Sequence, residues 1–185
     1  MVATKRSVCV YCGSRAGTLP SYARDASDTG TMLARNGWGL VYGAGDVGLM
    51  GLVAQAAQTA GGRTFGVIPV HLLAREVGRR SLDSFVITET MHERKKVMFM
   101  NADAIVVLPG GAGSLDEFFE VVTWRQLGLH AKPIFLLDTE GYWQPLATLM
   151  AHIVNQGFAE PSLQDFATMV PDVPTLETLL RAALS

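Results

Sequence analysis

The chain has 185 residues, is 49% hydrophobic and 17% charged, and carries a formal net charge of −2. That balance suits one compact domain over residues 1–185 and excludes a disordered or low-complexity chain. The only basic run is Arg94-Lys95-Lys96, too little for the basic patch of a nucleic-acid binder, so an anionic ligand must be held by a local site. Residues 1–8 carry charge and lead straight into a strand, with no secretory apolar core, and no apolar run approaches the length of a membrane span. A cytoplasmic location is expected.

Short β-branched or apolar runs predict strands at Ser7–Cys12, Gly39–Tyr42, Thr64–Ile68, Ser84–Thr88, Ala104–Leu108, Pro133–Leu137 and Ala167–Val170. Runs such as Ala104-Ile105-Val106-Val107-Leu108 are apolar throughout, as parallel strands covered on both faces must be. Between them, Tyr22, Ala26, Thr29 and Leu33 recur at helical spacing, as do Tyr142, Leu146, Leu149 and Ile153. Further helices are predicted over Leu49–Ala60, Met91–Asn101, Leu115–Leu127 and Thr175–Leu184. The alternation predicts an α/β fold: a single-domain, Rossmann-like, doubly wound parallel sheet of about seven strands, with helices on both faces. Residues Val70–Leu82, with Arg75, Glu76, Arg79 and Arg80, form the longest stretch without periodicity. Such a loop is as often a plain surface excursion as a functional one.

Cys9 and Cys12 have the Cys-x-x-Cys spacing, but they lie in a strand pattern, where residues three apart point to opposite faces. Two packed, reduced thiols are expected rather than a redox pair or a zinc site.

Three glycine turns follow strands, where helix N-termini in open parallel sheets offer free N–H groups to anions. Gly13-Ser14 is the first. The second, Gly43-Ala44-Gly45-Asp46-Val47-Gly48, matches the dinucleotide fingerprint, yet no Asp or Glu occurs between Asp46 and Glu76 to hold a ribose, and the turn follows the second strand instead of the first. A tight turn with close helix packing is the better reading. The third, Pro109-Gly110-Gly111-Ala112-Gly113-Ser114, puts three glycines and a hydroxyl at a helix start. It lacks the lysine of a triphosphate-binding loop, so a monophosphate or pyrophosphate fits better. Ser114-Leu115-Asp116-Glu117 also reads as a capping box, and from these residues alone capping is the stronger role for Glu117. Thr90-Met91-His92-Glu93 reads as another, with His92, Arg94, Lys95 and Lys96 as a solvated face, unless both helix starts meet one pocket and bring Arg94 and Lys95 onto the ligand.

Cys12-Gly13-Ser14, the run from Tyr42 to Gly51, Met91-His92-Glu93-Arg94-Lys95, Pro109 through Glu117, Thr123 through Gly128 and Lys132-Pro133 together resemble the LONELY GUY family. These are the cytokinin riboside 5′-monophosphate phosphoribohydrolases, once mislabelled lysine decarboxylases. The resemblance implies release of an N6-substituted adenine and ribose 5-phosphate, with Arg94 and Glu117 as the catalytic pair. It further implies ligand contacts from Ser14, Glu76, Arg94, Lys95, Gly110, Gly111, Ala112, Gly113, Ser114, Leu115, Asp116 and Thr123, and a homodimer. It implies no metal and no redox cofactor. Ala44, Arg15, Ser114 and Asp116 depart from the family's usual Gly, Ser, Thr and Glu, which bears on substrate preference.

Bond cleavage develops positive charge on the sugar, which a Glu117 carboxylate can stabilise, or it can activate the attacking water. Arg94 stays protonated and suits a fixed cation rather than a general acid. Competing readings are a nucleotide-binding or carrier protein without catalysis, and an NAD-dependent oxidoreductase. A decarboxylase would need pyridoxal on a lysine, and none of Lys5, Lys95, Lys96 or Lys132 has a supporting motif. Three successive residues, Met98, Phe99 and Met100, cannot all face one core from a helix, so some are expected to meet a partner.

Overall fold

A computed structural model describes residues 6–73 and 84–185. Its strands are β1 (Ser7–Tyr11), β2 (Gly39–Tyr42), β3 (Thr64–Pro69), β4 (Ser84–Thr88), β5 (Ala104–Val107), β6 (Ile134–Leu137) and β7 (Thr168–Val170). Its α-helices are α1 (Pro20–Arg35), α2 (Gly48–Thr59), α3 (Met91–Met100), α4 (Ala112–Gln126), α5 (Gln144–Asn155) and α6 (Val173–Leu184). All seven strands join one sheet in the order β4-β3-β2-β1-β5-β6-β7, and every pairing is parallel. The chain winds outward from β1 through β4, then crosses back through α3 to pair β5 with β1. The order therefore reverses between β1 and β5, where a doubly wound sheet opens a crevice at its carboxyl edge.

Two cores result. Val8, Val10, Leu40, Tyr42, Val106 and Leu137 pack with residues of α1, α2 and α6 on one face. Cys9, Tyr11, Val41, Ile105, Val107 and Leu136 pack with α3, α4 and α5 on the other. Successive strand residues thus enter different cores, which is why the central strands are apolar at every position. The two cysteines divide in the same way, Cys9 to one core and Cys12 to the other, and both are free thiols. Burial raises the pKa of each, so neither is a ready thiolate.

Of the two capping boxes read from the sequence, one forms and one does not, and α6 starts two residues before its predicted Thr175. Thr90 caps α3 in a full capping box: its Oγ1 accepts from Glu93 N–H at 3.2 Å while Glu93 Oε2 accepts from Thr90 N–H at 3.3 Å. Asp172 caps α6, accepting from Thr175 N–H at 2.8 Å. The capping box expected at Ser114 does not form. Helix α4 begins at Ala112 with Gly111 as its cap, which puts Ser114 in the third helical position. The turn enters the helix three residues early because its glycines need no side-chain cap to bend into it. Glu117 is thereby released from a capping role.

The basic segment of α3 is not a solvated face either. Arg94 and Lys95 are buried, at 6% and 5% exposure, while His92 and Lys96 are exposed. Met98 enters the core, and Phe99 packs edge-to-face on Trp124 and His130. Met100 alone of that trio stays exposed. The Trp124–Lys132 segment serves as a clasp: Arg125 Nη1 donates to Lys132 O and Phe166 O, His130 bonds Val121 O, and Lys132 Nζ donates to Phe99 O.

Candidate active site

The crevice between β1 and β5 opens into a cavity of about 540 Å³. Its floor and walls come from the turn after β1, the glycine turn entering α4, the start of α2, and the side chains of Arg94, Glu117, Tyr22 and Tyr142. The glycine turn is held by its neighbours. Gly13 N–H donates to Pro109 O at 3.0 Å, and Tyr142 Oη donates to Gly110 O at 2.6 Å. A Cβ on Gly110 would collide with the Ser114 side chain and approach Gly13 N at 2.9 Å, so only glycine allows the two turns to close on each other. The first intrahelical bond of α4 runs from Leu115 N–H to Gly111 O. The N–H groups of Ala112, Gly113 and Ser114 precede it without helical acceptors, at the positive end of the helix dipole.

The second glycine turn plays a different part. Its helix, α2, already has an acceptor at its start, because Leu49 N–H and Met50 N–H both point at Gly13 O, at 3.0 and 3.4 Å. Those donors are consumed within the protein, as the packing reading anticipated, and are not offered to a pyrophosphate. The turn's Gly43 instead receives Arg94. Nη2 of Arg94 donates to Gly43 O at 2.9 Å, and Nε donates to Val67 O at 3.2 Å. The guanidinium is thus fixed by the carbonyl that follows β2 and by one within β3, with Nη1 3.8 Å from Met91 Sδ, and it lines the cavity. A Cβ on Gly43 would strike that guanidinium.

Glu117 lies one helical turn after Ser114, three residues on, so both share the face of α4 that meets the cavity. Burial pushes its carboxyl up to about 7, Arg94 pulls the other way, and Asp116 reinforces the rise. Near neutral pH it is poised between acid and carboxylate, a state suited to proton transfer or to meeting positive charge.

Of the residues singled out in the sequence, Ser14, Arg94, Gly110, Gly111, Ala112, Gly113, Ser114 and Glu117 line this one cavity. Lys95, Leu115, Asp116 and Thr123 do not. Each helical residue turns about 100° from the last, so Leu115 packs toward the core and Asp116 faces outward. Lys95 is buried between the helices, with its Nζ 3.0 Å from Asp116 Oδ2 and 3.1 Å from Glu120 Oε1; burial works to lower its pKa, but the two carboxylates together outweigh that and raise it. Thr123 is exposed, more than two turns along α4. Glu76 lies outside the described residues. The sequence reading missed Tyr22 and Tyr142, which it took only as apolar positions of helices. Among the described residues, no group of three or more His, Cys, Asp and Glu side chains is placed to hold a metal ion, and no helix is long and apolar enough to cross a membrane.

A family profile described as "Possible lysine decarboxylase" matches residues 50–180. A cytokinin riboside 5′-monophosphate phosphoribohydrolase of Arabidopsis thaliana is 42% identical over 171 residues, covering 92% of this chain and 79% of that protein. A probable enzyme of the same name from Oryza sativa subsp. japonica is 43% identical over 171 residues, covering 92% and 75%. In fold, the chain resembles the molybdenum cofactor carrier protein of Chlamydomonas reinhardtii, with a TM-score of 0.73 at 20% identity over 98% of this chain and 99% of that one. By its identity to relatives over nearly its whole length, the chain belongs to the LONELY GUY family of cytokinin riboside 5′-monophosphate phosphoribohydrolases.

Proposed function

We propose that the protein hydrolyses the N-glycosidic bond of a purine nucleoside 5′-monophosphate, AMP or an N6-substituted AMP, releasing the free base and ribose 5-phosphate. The observation that carries this reading is the meeting of Arg94 and Glu117 with the glycine turn in one cavity. Ser14, the turn from Gly110 to Ser114, and the N-terminus of α4 hold the 5′-phosphate, an anion suited to unpaired N–H groups. Binding energy gathered there aligns the sugar at Glu117. The Glu117 carboxylate then meets the positive charge developing on the ribose, or takes a proton from the attacking water. Arg94, already locked by two carbonyls, supplies a preorganised cation for the charge that departs with the base. No metal or cofactor enters this scheme.

A catalytically silent carrier is the rival, since carriers of this fold exist. The relatives at about 40% identity favour the enzyme. A lysine-bound pyridoxal is disfavoured because Lys95 is already engaged by two carboxylates and Lys132 by Phe99. Two buried thiols suit a reducing cytoplasm. A homodimer is supported by Met100, Leu127 and Leu129, each about two-thirds exposed, around the ends of α3 and α4.

The test is release of ribose 5-phosphate from AMP and isopentenyl-AMP, compared by kcat/KM, with Glu117→Gln as the control. The variant should keep its affinity for the nucleotide and lose several orders of magnitude in kcat. Retention of a tenth of native kcat would remove Glu117 from the chemistry, and no turnover of either nucleotide by the native protein would favour the carrier.

A further inference from the structure

A carbonyl oxygen is a liability in an anion site, because the negative end of its dipole repels the ligand. The turn entering α4 carries two such groups, Pro109 O and Gly110 O, next to the N–H groups that the ligand needs. The peptide joining Gly110 to Gly111 has glycine on both sides, so little in the local chain resists its rotation. Something outside the turn must choose its orientation.

Both carbonyls have donors from outside the turn. Gly13 N–H takes Pro109 O at 3.0 Å, and the Tyr142 hydroxyl takes Gly110 O at 2.6 Å. In a trans peptide the carbonyl and the following N–H point to opposite sides, so holding Gly110 O at Tyr142 also sets the direction of Gly111 N–H. The tyrosine is itself firmly placed. Its ring meets Tyr22 edge-on at 5.6 Å and Trp143 at 4.8 Å. Its backbone leaves a tight turn in which Asp138 accepts from Trp143 N–H and Gln144 Nε2, each at 2.6 Å, and Thr139 Oγ1 donates to Asp25 Oδ2 of α1 at 2.7 Å. The hydroxyl is thus delivered from the β6–α5 connection to the β5–α4 turn, across the mouth of the cavity that Tyr142 lines.

We propose that Tyr142 is a positioning residue of the phosphate-holding turn, its hydroxyl fixing the Gly110–Gly111 peptide so that the turn presents donors rather than a bare carbonyl to the monoester. The inference rests on the reading above that this turn holds the 5′-phosphate. It predicts a selective defect: contacts with phosphate weaken, while base recognition persists.

Tyr142→Phe keeps the ring and its edge-on contacts and removes only the hydroxyl. Ribose 5-phosphate and free adenine are titrated calorimetrically into the native and variant proteins, and AMP turnover is followed in parallel. Loss of one such hydrogen bond should raise the Kd for ribose 5-phosphate and the KM for AMP together by about fivefold to tenfold. The Kd for adenine should stay within about twofold of native, and kcat should fall by less than KM rises, because this peptide carries only part of the alignment. Unchanged ribose 5-phosphate affinity overturns the positioning role alone, as does equal weakening toward adenine, which would mark a general loosening. Failure of the native protein to bind ribose 5-phosphate overturns the phosphate reading and the inference together.

Discussion

Glu117 sits where a half-buried carboxyl and a fixed guanidinium share one cavity, and its proton affinity links stability to pH. Its pKa in the folded protein is about 7, against 4.5 for the unperturbed group. The folded state therefore holds this proton more tightly than the unfolded one. The resulting stabilisation is present below pH 4.5 and is lost as pH rises through 7, a change on the order of 3 kcal/mol. Glu117→Gln cannot ionise, so its melting temperature should gain on the native protein by several degrees between pH 5 and pH 8.5. A difference that stays constant with pH would mean that the ionised carboxylate is not costly. In the mechanism above the ionised form acts, so kcat/KM should rise with pH through an inflection near 7. A fall through the same region would recast Glu117 as the proton donor to the leaving base. Gly43 offers an independent handle on Arg94. Its φ is not in the left-handed region, so Gly43→Ala leaves the backbone tolerable but drives a methyl group into the guanidinium. Overpacking of this kind costs about 1–3 kcal/mol and leaves a folded protein. Displacement of the cation should lower kcat/KM by roughly a hundredfold. Near-native activity would show that the position of Arg94 is not critical.

At the scale of the element, α3 and α4 obtain their starts by different means, and the difference matters for function. Helix α3 has only ten residues and is closed by the Thr90–Glu93 box. Thr90→Ala should cost about 1 kcal/mol and lower the melting temperature by about 2–4 °C. Its effect on kcat should be small, because Arg94 is anchored to β2 and β3 rather than to the cap. A large loss of kcat at unchanged stability would place the cap within the active-site framework. Helix α4, by contrast, begins on glycines without a side-chain cap, leaving its first N–H groups for a ligand. Lys95 joins the two helices through Asp116 and Glu120, so the residues beside Arg94 and Glu117 in sequence brace the pair.

For the whole molecule, the exposed Met100, Leu127 and Leu129 make self-association the expected state. Light scattering at micromolar concentration should give twice the chain mass, and Leu127→Glu should shift it toward the monomer. A native monomer would rule out the homodimer. How much of this architecture was readable in advance follows from the range of the forces involved. The strands came within a residue or two of their predicted limits because their signals are local: β-branched runs bounded by turns, with every position apolar where both faces are covered. The glycine turn was equally readable, but Arg94 and Glu117 were singled out by the resemblance rather than by local pattern, which favoured a solvated face for one and a helix cap for the other; both line the cavity with the turn. Three features escaped because they depend on distant partners. The start of α4 moved ahead of Ser114 once Gly13 and Tyr142 held the glycine turn. Arg94 and Lys95 went inward because carbonyls of β2 and β3 and carboxylates of α4 were there to receive them. Tyr142 joined the site because strand order sets β6 beside β5, which no local pattern around residue 142 encodes. Residue pattern is sufficient for elements and motifs, since propensity and periodicity act over a few residues. Burial of charge and the assembly of a site belong to packing, since they require partners that only the order of strands brings together.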